Sequence, residues 1–185
     1  MAEVFPALTA QHRRFIARQH IFFTASSAAH GHINLSPKDA KALRILDDAT
    51  ICYLDLTGSG NETAAHLLAD GRLTVMFCAF EGPPLILRLY GHGRILARGE
   101  ASYDGVLASA FGGAEPPGAR QIMLLDITRV QTSCGYGVPF YAYRGERDGL
   151  VAWAEKKGEE GLAAYRAEKN VLSIDGLPTG LPASS

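Results

Sequence analysis

Seven short runs of apolar and β-branched residues follow one another along this chain: Ile21–Ser26, Ile33–Leu35, Ala42–Leu46, Thr50–Leu56, Leu73–Phe80, Leu85–Leu96 and Ile122–Val130. Most are separated by Gly, Pro, Asp or Asn, the residues that end strands and turn the backbone. Strands in such a series hide their inward faces by curling into a barrel or pairing as a sandwich. Helical patterns are few. Thr9–Ala17 reads as a short opening helix with Thr9 as candidate N-cap, and Asn61–Ala69 and Asp104–Phe111, the latter with Asp104 as candidate cap, interrupt the strands. After Leu150, Trp153, Leu162 and Tyr165 are spaced among Glu, Lys and Ala as in one or two amphipathic helices, before a Gly- and Pro-rich tail, Gly176–Ser185. The fold class expected is mainly β (α+β), with peripheral helices and a helical C-terminal segment.

A chain of 185 residues, 47% hydrophobic, can bury one core without disulfides or metal. One domain over 1–185 is expected, its core at about 12–133 and its helical extension at about 148–185. The net charge of -1 provides no basic field for nucleic acid. Cys52, Cys78 and Cys134 form no C-x-x-C pair and read as reduced thiols. No basic-then-apolar leader opens the chain, and no stretch reaches the roughly 18 apolar residues of a membrane span. A cytoplasmic protein with no membrane and no nucleic-acid partner is the expectation.

The clearest alternation lies in Leu85–Leu96, where Arg88, Tyr90, His92 and Arg94 share one face and Leu87, Leu89, Gly91, Gly93 and Ile95 the other. The polar face is either solvated or turned to an anionic ligand or a partner subunit. Gly91 and Gly93 mark a bend or a close backbone approach.

Strand, glycine loop and helix succeed one another in Ile51–Leu56, Thr57-Gly58-Ser59-Gly60 and Asn61–Leu68. Gly58 and Gly60 let successive amides face one concavity, and the helix N-terminus adds about half a positive charge, so a phosphate suits the turn. Ser59-x-x-Glu62 is equally a capping box. Upstream, Asn34, Ser36 and Lys38 alternate along an extended Ile33–Asp39, with Lys38 either a phosphate partner or an exposed loop lysine. His30 and His32 lack a third metal ligand, and no metal site is assigned. Cys134 has no base partner in sequence and reads as a buried structural thiol before it reads as a nucleophile.

Taken in order, His32–Lys38, Tyr53–Leu68, Leu73–Phe80 and the Arg-Leu-Tyr-Gly-His-Gly-Arg strand resemble the FMN-binding core of the pyridoxamine 5'-phosphate oxidase-like flavoproteins. The resemblance implies a six- to seven-stranded antiparallel split β-barrel and a homodimer with FMN at the subunit interface. It places Asn34, Ser36, Pro37 and Lys38 beside the flavin, Leu54 and Asp55 against its ring through backbone groups, and the phosphate at Gly58, Ser59, Gly60, Asn61 and Thr63. Arg88 is implied to reach FMN from the long strand, from the neighbouring subunit in such dimers.

Where the oxidase carries a basic pair at the helix start, this chain has Glu62 and Thr63. The oxidase's C-terminal Arg-Leu-Xaa-Pro segment has no counterpart in Gly176–Pro182, which contains no arginine. The expected function is therefore an FMN-dependent oxidoreductase with an unassigned small-molecule substrate and no assigned catalytic residue. The alternatives are a non-catalytic FMN carrier or sensor, or a haem-handling protein drawing on His30, His32 and His92.

Overall fold

The computed structural model describes residues 2–183; Met1, Ser184 and Ser185, the ends of the expected domain, lie outside the described residues. Eight strands form one antiparallel sheet: β1 Glu3–Phe5, β2 Ile21–Ser26, β3 Asn34–Asp39, β4 Leu43–Ile45, β5 Thr50–Leu56, β6 Arg72–Cys78, β7 Ile86–Ala97 and β8 Ala119–Ser133. The order β3-β2-β6-β7-β8-β5-β4, with β1 also on β8, curls into a half-barrel. β8 is its spine: β7 runs along one edge, and β5 and β1 share the other.

Both faces of the spine are covered, which is why its runs read as continuously apolar. Along β5, Ile51 and Tyr53 enter the main core with Phe22, Phe77, Leu87 and Leu89, while Cys52 and Leu54 enter a second cluster with Tyr103 and Leu107. Met123 and Leu125 of β8 go to the first, Ile122 and Leu124 to the second. The alternation follows from the two-residue period of a strand. Each fully buried large side chain contributes about 1.5–3 kcal/mol of transfer free energy.

The helices are α1 Ala10–Ile16, α2 Glu62–Ala69, α3 Ala101–Phe111 and α4 Gly149–Lys169. Thr9 caps α1 as expected, in a capping box closed by His12. α4 is broken at Gly158, whose φ of 67° lies in the left-handed region, so the C-terminal helical segment has two parts. α3 covers the second core cluster, and Tyr103 is buried there with its hydroxyl donating to Glu115. Among the described residues no helix is long and apolar enough to cross a membrane.

Several expected boundaries shift for identifiable reasons. The Ile33–Leu35 run is only the start of β3, which continues through Pro37 to Asp39; β3 pairs with β2 alone, and an edge strand tolerates proline. Ala40–Ala42 forms a single 3-10 turn, so the run expected from Ala42 becomes a strand at Leu43. α3 starts at Ala101 rather than Asp104, and Asp104 sits in its first turn. Cys134 is exposed, not buried: β8 ends at Ser133, and Gly135, with a φ of 68°, packs against the backbone of Leu85.

Candidate functional site

β3, β5, the loop after it and the start of β8 enclose a pocket of about 280 Å³. Nine of the twelve residues expected at the site line it: Asn34, Ser36, Lys38, Asp55, Gly58, Ser59, Gly60, Asn61 and Thr63. Three do not. Pro37 lines an adjoining cavity, Leu54 is packed into the second core cluster, and Arg88 donates to Ser133 Oγ at 3.2 Å and lines neither space. β4 pairs only with Ile51–Tyr53, so the backbone of Leu54–Leu56 has no strand on that edge.

The glycine loop gives access rather than unusual torsion. Neither Gly58 nor Gly60 has a positive φ, but a Cβ on Gly58 would meet nothing within 4 Å. The Ser59-x-x-Glu62 capping box does not form. Asn61 is the N-cap of α2 and makes no side-chain cap bond, while both oxygens of Glu62 accept from the Ile174 amide at 3.1–3.2 Å. The first amides of α2 therefore lack a side-chain cap, the condition in which a helix N-terminus receives an anion.

Beneath the loop lies a buried polar cluster. Arg120, 5% exposed, donates twice to Asp55 Oδ2, at 2.6 and 3.1 Å, and Gln121 adds a third bond at 3.0 Å. Lys38 Nζ stands 3.3 Å from Asp55 Oδ1. Burial raises the Asp55 carboxyl, but the Arg120 charge, then Lys38 and the hydrogen bonds, outweigh it and hold the group below the ordinary carboxylate range. Gln121 also donates to Asn61 Oδ1 at 2.7 Å, which fixes the Asn61 amide and leaves its buried Nδ2 without an acceptor. A buried donor left so costs about 1–3 kcal/mol.

The opposite wall is tied in the same way. Asn34 Nδ2 donates to Thr63 Oγ1 at 3.0 Å and to Ser26 Oγ at 3.3 Å, and Ser26 pairs with buried His66 Nδ1 at 3.0 Å. The C-terminal segment braces the loop from outside the pocket. Asn170 accepts from Arg120 and donates to the Gly58 carbonyl, and Arg166 donates to Thr57 and to the Ala119 carbonyl. Asp175 accepts from the backbone and ring of His32, which raises the His32 pKa through the hydrogen bond and then the charge.

Arg120, Gln121, Arg166 and Asn170 were not expected. Arg120-Gln121 immediately precedes an apolar strand run, the one local hint of a polar pair carried inward. The histidines do not converge: His30 and His92 are exposed, and His32 is bound to Asp175. Burial pushes the Cys52 thiol up to about 12 against a smaller effect of Arg44, so it carries no thiolate at neutral pH.

The fold and site define a class of antiparallel split half-barrel in which a glycine loop opens a helix over a buried polar cluster. The family model for pyridoxamine 5'-phosphate oxidase matches residues 8–134, and the chain belongs to that family. It is 35% identical to "Pyridoxamine 5'-phosphate oxidase family protein ustO" of Aspergillus flavus, over 90% of this chain and 73% of that one. Among solved structures, HupZ of Group A Streptococcus aligns with a TM-score of 0.55 at 23% identity, over 68% of this chain and 98% of that one. A FAD-binding protein of Mesorhizobium loti aligns at 0.50 and 11%, over 71% and 96%.

Proposed function

We propose that this protein binds FMN and is an FMN-dependent oxidoreductase acting on a small molecule. The observation that carries the reading is the convergence of Asn34, Ser36, Lys38 and Gly58–Thr63 on one pocket, with the buried Asn61 Nδ2 unpartnered and α2 uncapped there. These are groups that hold a phosphate monoester: a lysine, hydroxyls, an amide donor and helix N–H groups. Glu62, which stands where the oxidase has a basic residue, is held by the Ile174 amide, and Arg120 and Lys38, two cations sharing the single carboxylate of Asp55, leave an excess of positive charge beneath the pocket. When bound, FMN supplies hydride or electron transfer, and the protein orients it and limits access to it.

A homodimer belongs to the same proposal. Arg88 lines neither space of its own chain, which suits a role across an interface. Ile33 and Leu35, beside and on the edge strand β3, are 77% and 66% exposed, an apolar edge for a second copy. Absorbance and native mass of the purified protein test both parts: flavin bands with two chains and two FMN support the reading, and an FMN-free monomer that takes up no added FMN removes it. Turnover of the FMN-loaded protein with NADH, NADPH and a panel of amines then separates oxidoreductase from carrier.

A further inference from the structure

Beside the phosphate pocket, and sharing Lys38 with it, lies a cavity of about 920 Å³ that the cofactor reading leaves unassigned. The end of α1, the β6–β7 turn and the 141–147 segment form its walls, and the Tyr141 amide ties that segment to the Phe80 carbonyl at 3.0 Å. Two aromatic pairs line it. His20 and Tyr143 stack with centroids 3.7 Å apart and planes 3° from parallel, and Phe80 and Tyr141 pack at 5.6 Å.

The charges around it are unequally committed. The three carboxylates are held in place, Glu146 by the Tyr143 hydroxyl and by Lys41 Nζ at 3.8 Å, Asp39 by the Lys41 amide and Glu81 by the Tyr143 amide, and the amides leave the last two charged. Arg18, Arg144 and Arg147 have no side-chain hydrogen bond or ion pair among the described residues. Aromatic faces with uncommitted guanidinium groups are complementary to a flat ring bearing a carboxylate, which an arginine can bind with two parallel N–H bonds. The volume lies at the upper end of the range for small-molecule sites.

We infer that this cavity binds a planar aromatic carboxylate, its ring against the aromatic walls and its carboxylate on the arginines. That this ligand is the substrate rests on the FMN reading, because Pro37 and the shared Lys38, both expected beside the flavin, are what place the cavity next to the cofactor. The experiment is calorimetric titration of 2-naphthoate, and of neutral 2-naphthamide, into the full-length protein with and without FMN. Naphthoate is expected to bind at least about tenfold more tightly than the amide, and R18A/R144A/R147A to lose about tenfold or more in naphthoate affinity while FMN uptake and circular dichroism stay unchanged. Equal affinity for the acid and the amide, an affinity unaltered in the triple variant, or no binding at about 10 mM overturns the inference. Because the exposed arginines are outside the phosphate pocket, an unaltered protein that takes up no FMN but binds naphthoate sinks the cofactor reading and leaves this site standing. R144K tests the geometry separately: a lysine keeps the charge but not the fork, and a loss as large as in R144A assigns the bidentate contact.

Discussion

Arg120 and Asp55 meet at 2.6 Å, both nearly excluded from solvent, and the glycine loop, Asn61 and Lys38 are tied to that pair directly or through one residue. Gln121 carries the connection to Asn61, Asn170 carries it to Gly58, and Lys38 reaches the second Asp55 oxygen. A buried pair of this kind adds little net stability compared with an apolar substitute, but breaking it leaves one charge buried and unmatched. Its evident role is to fix the loop.

Asp55→Asn is therefore expected to destabilise the fold by about 3 kcal/mol, measured by urea unfolding at neutral pH. The effect should depend on acidity with a definite sign. The folded-state pKa of Asp55 is depressed, so its contribution is present above the unfolded value of about 3.9 and is lost as pH falls through the folded value. Wild type and variant should converge in stability below the ordinary carboxylate range, and a gap that persists there speaks against the charge as the cause.

The phosphate assignment makes a prediction independent of catalysis. Lys38→Ala and Asn61→Ala remove groups proposed to meet the phosphate. Each should weaken FMN by about tenfold while leaving riboflavin, which has no phosphate, nearly unaffected. Flavin fluorescence quenching gives both constants. Equal loss for the two flavins would place those residues against the ring instead.

Much of this arrangement was legible in the chain. All seven apolar runs became strands, and β5 and β8 stood out most because they are buried on two faces, so hydrophobicity marked them without help from distant residues. Asn34, Ser36 and Lys38 do share a face of β3, and Gly58–Thr63 does open a helix over them. What escaped was long-range. Arg120 and Asp55 are 65 residues apart and are joined by the β5–β8 register, for which neither local sequence carries a signal. β1, three residues long, forms only because the far end of β8 is free to pair. Nor did composition announce that the segment after α4 is fastened, Leu172 bridging Pro178 of the Gly- and Pro-rich tail and the Ile174 amide donating to Glu62.

The contact between the segment after α4 and the loop before β3 can be followed through His32. Its pKa is raised by the hydrogen bond and charge of Asp175, so the protonated pair forms below about 6.5 and is lost as pH rises through the folded value. Asp175→Asn should return the His32 titration, followed by the imidazole proton shift in NMR, toward the ordinary histidine value. An unchanged titration would mean that the two groups do not meet in solution.

Two glycines on β7 separate steric causes that composition cannot. A Cβ at Gly91 would lie 2.0 Å from the Asp126 backbone carbonyl, at the point where the β7–β8 register shifts between Tyr90 and Gly91. At Gly93 the nearest atoms are side-chain methyls, those of Leu67 at 2.6 and 3.0 Å and one of Leu73 at 3.0 Å. Backbone in the spine of a sheet cannot withdraw, because β8 is held on both edges, whereas a leucine can change rotamer. Gly91→Ala is expected to cost about 2 kcal/mol or more and to lower the thermal midpoint more than Gly93→Ala does. Because α2 leans on β7 through Leu67, Gly93→Ala should instead disturb the helix whose N-terminus faces the pocket, and so weaken FMN more than its stability loss implies. Paired measurements of thermal midpoint and FMN affinity on the two variants check this: the order of the two effects should invert between them, and the same order in both would reduce each glycine to a packing position.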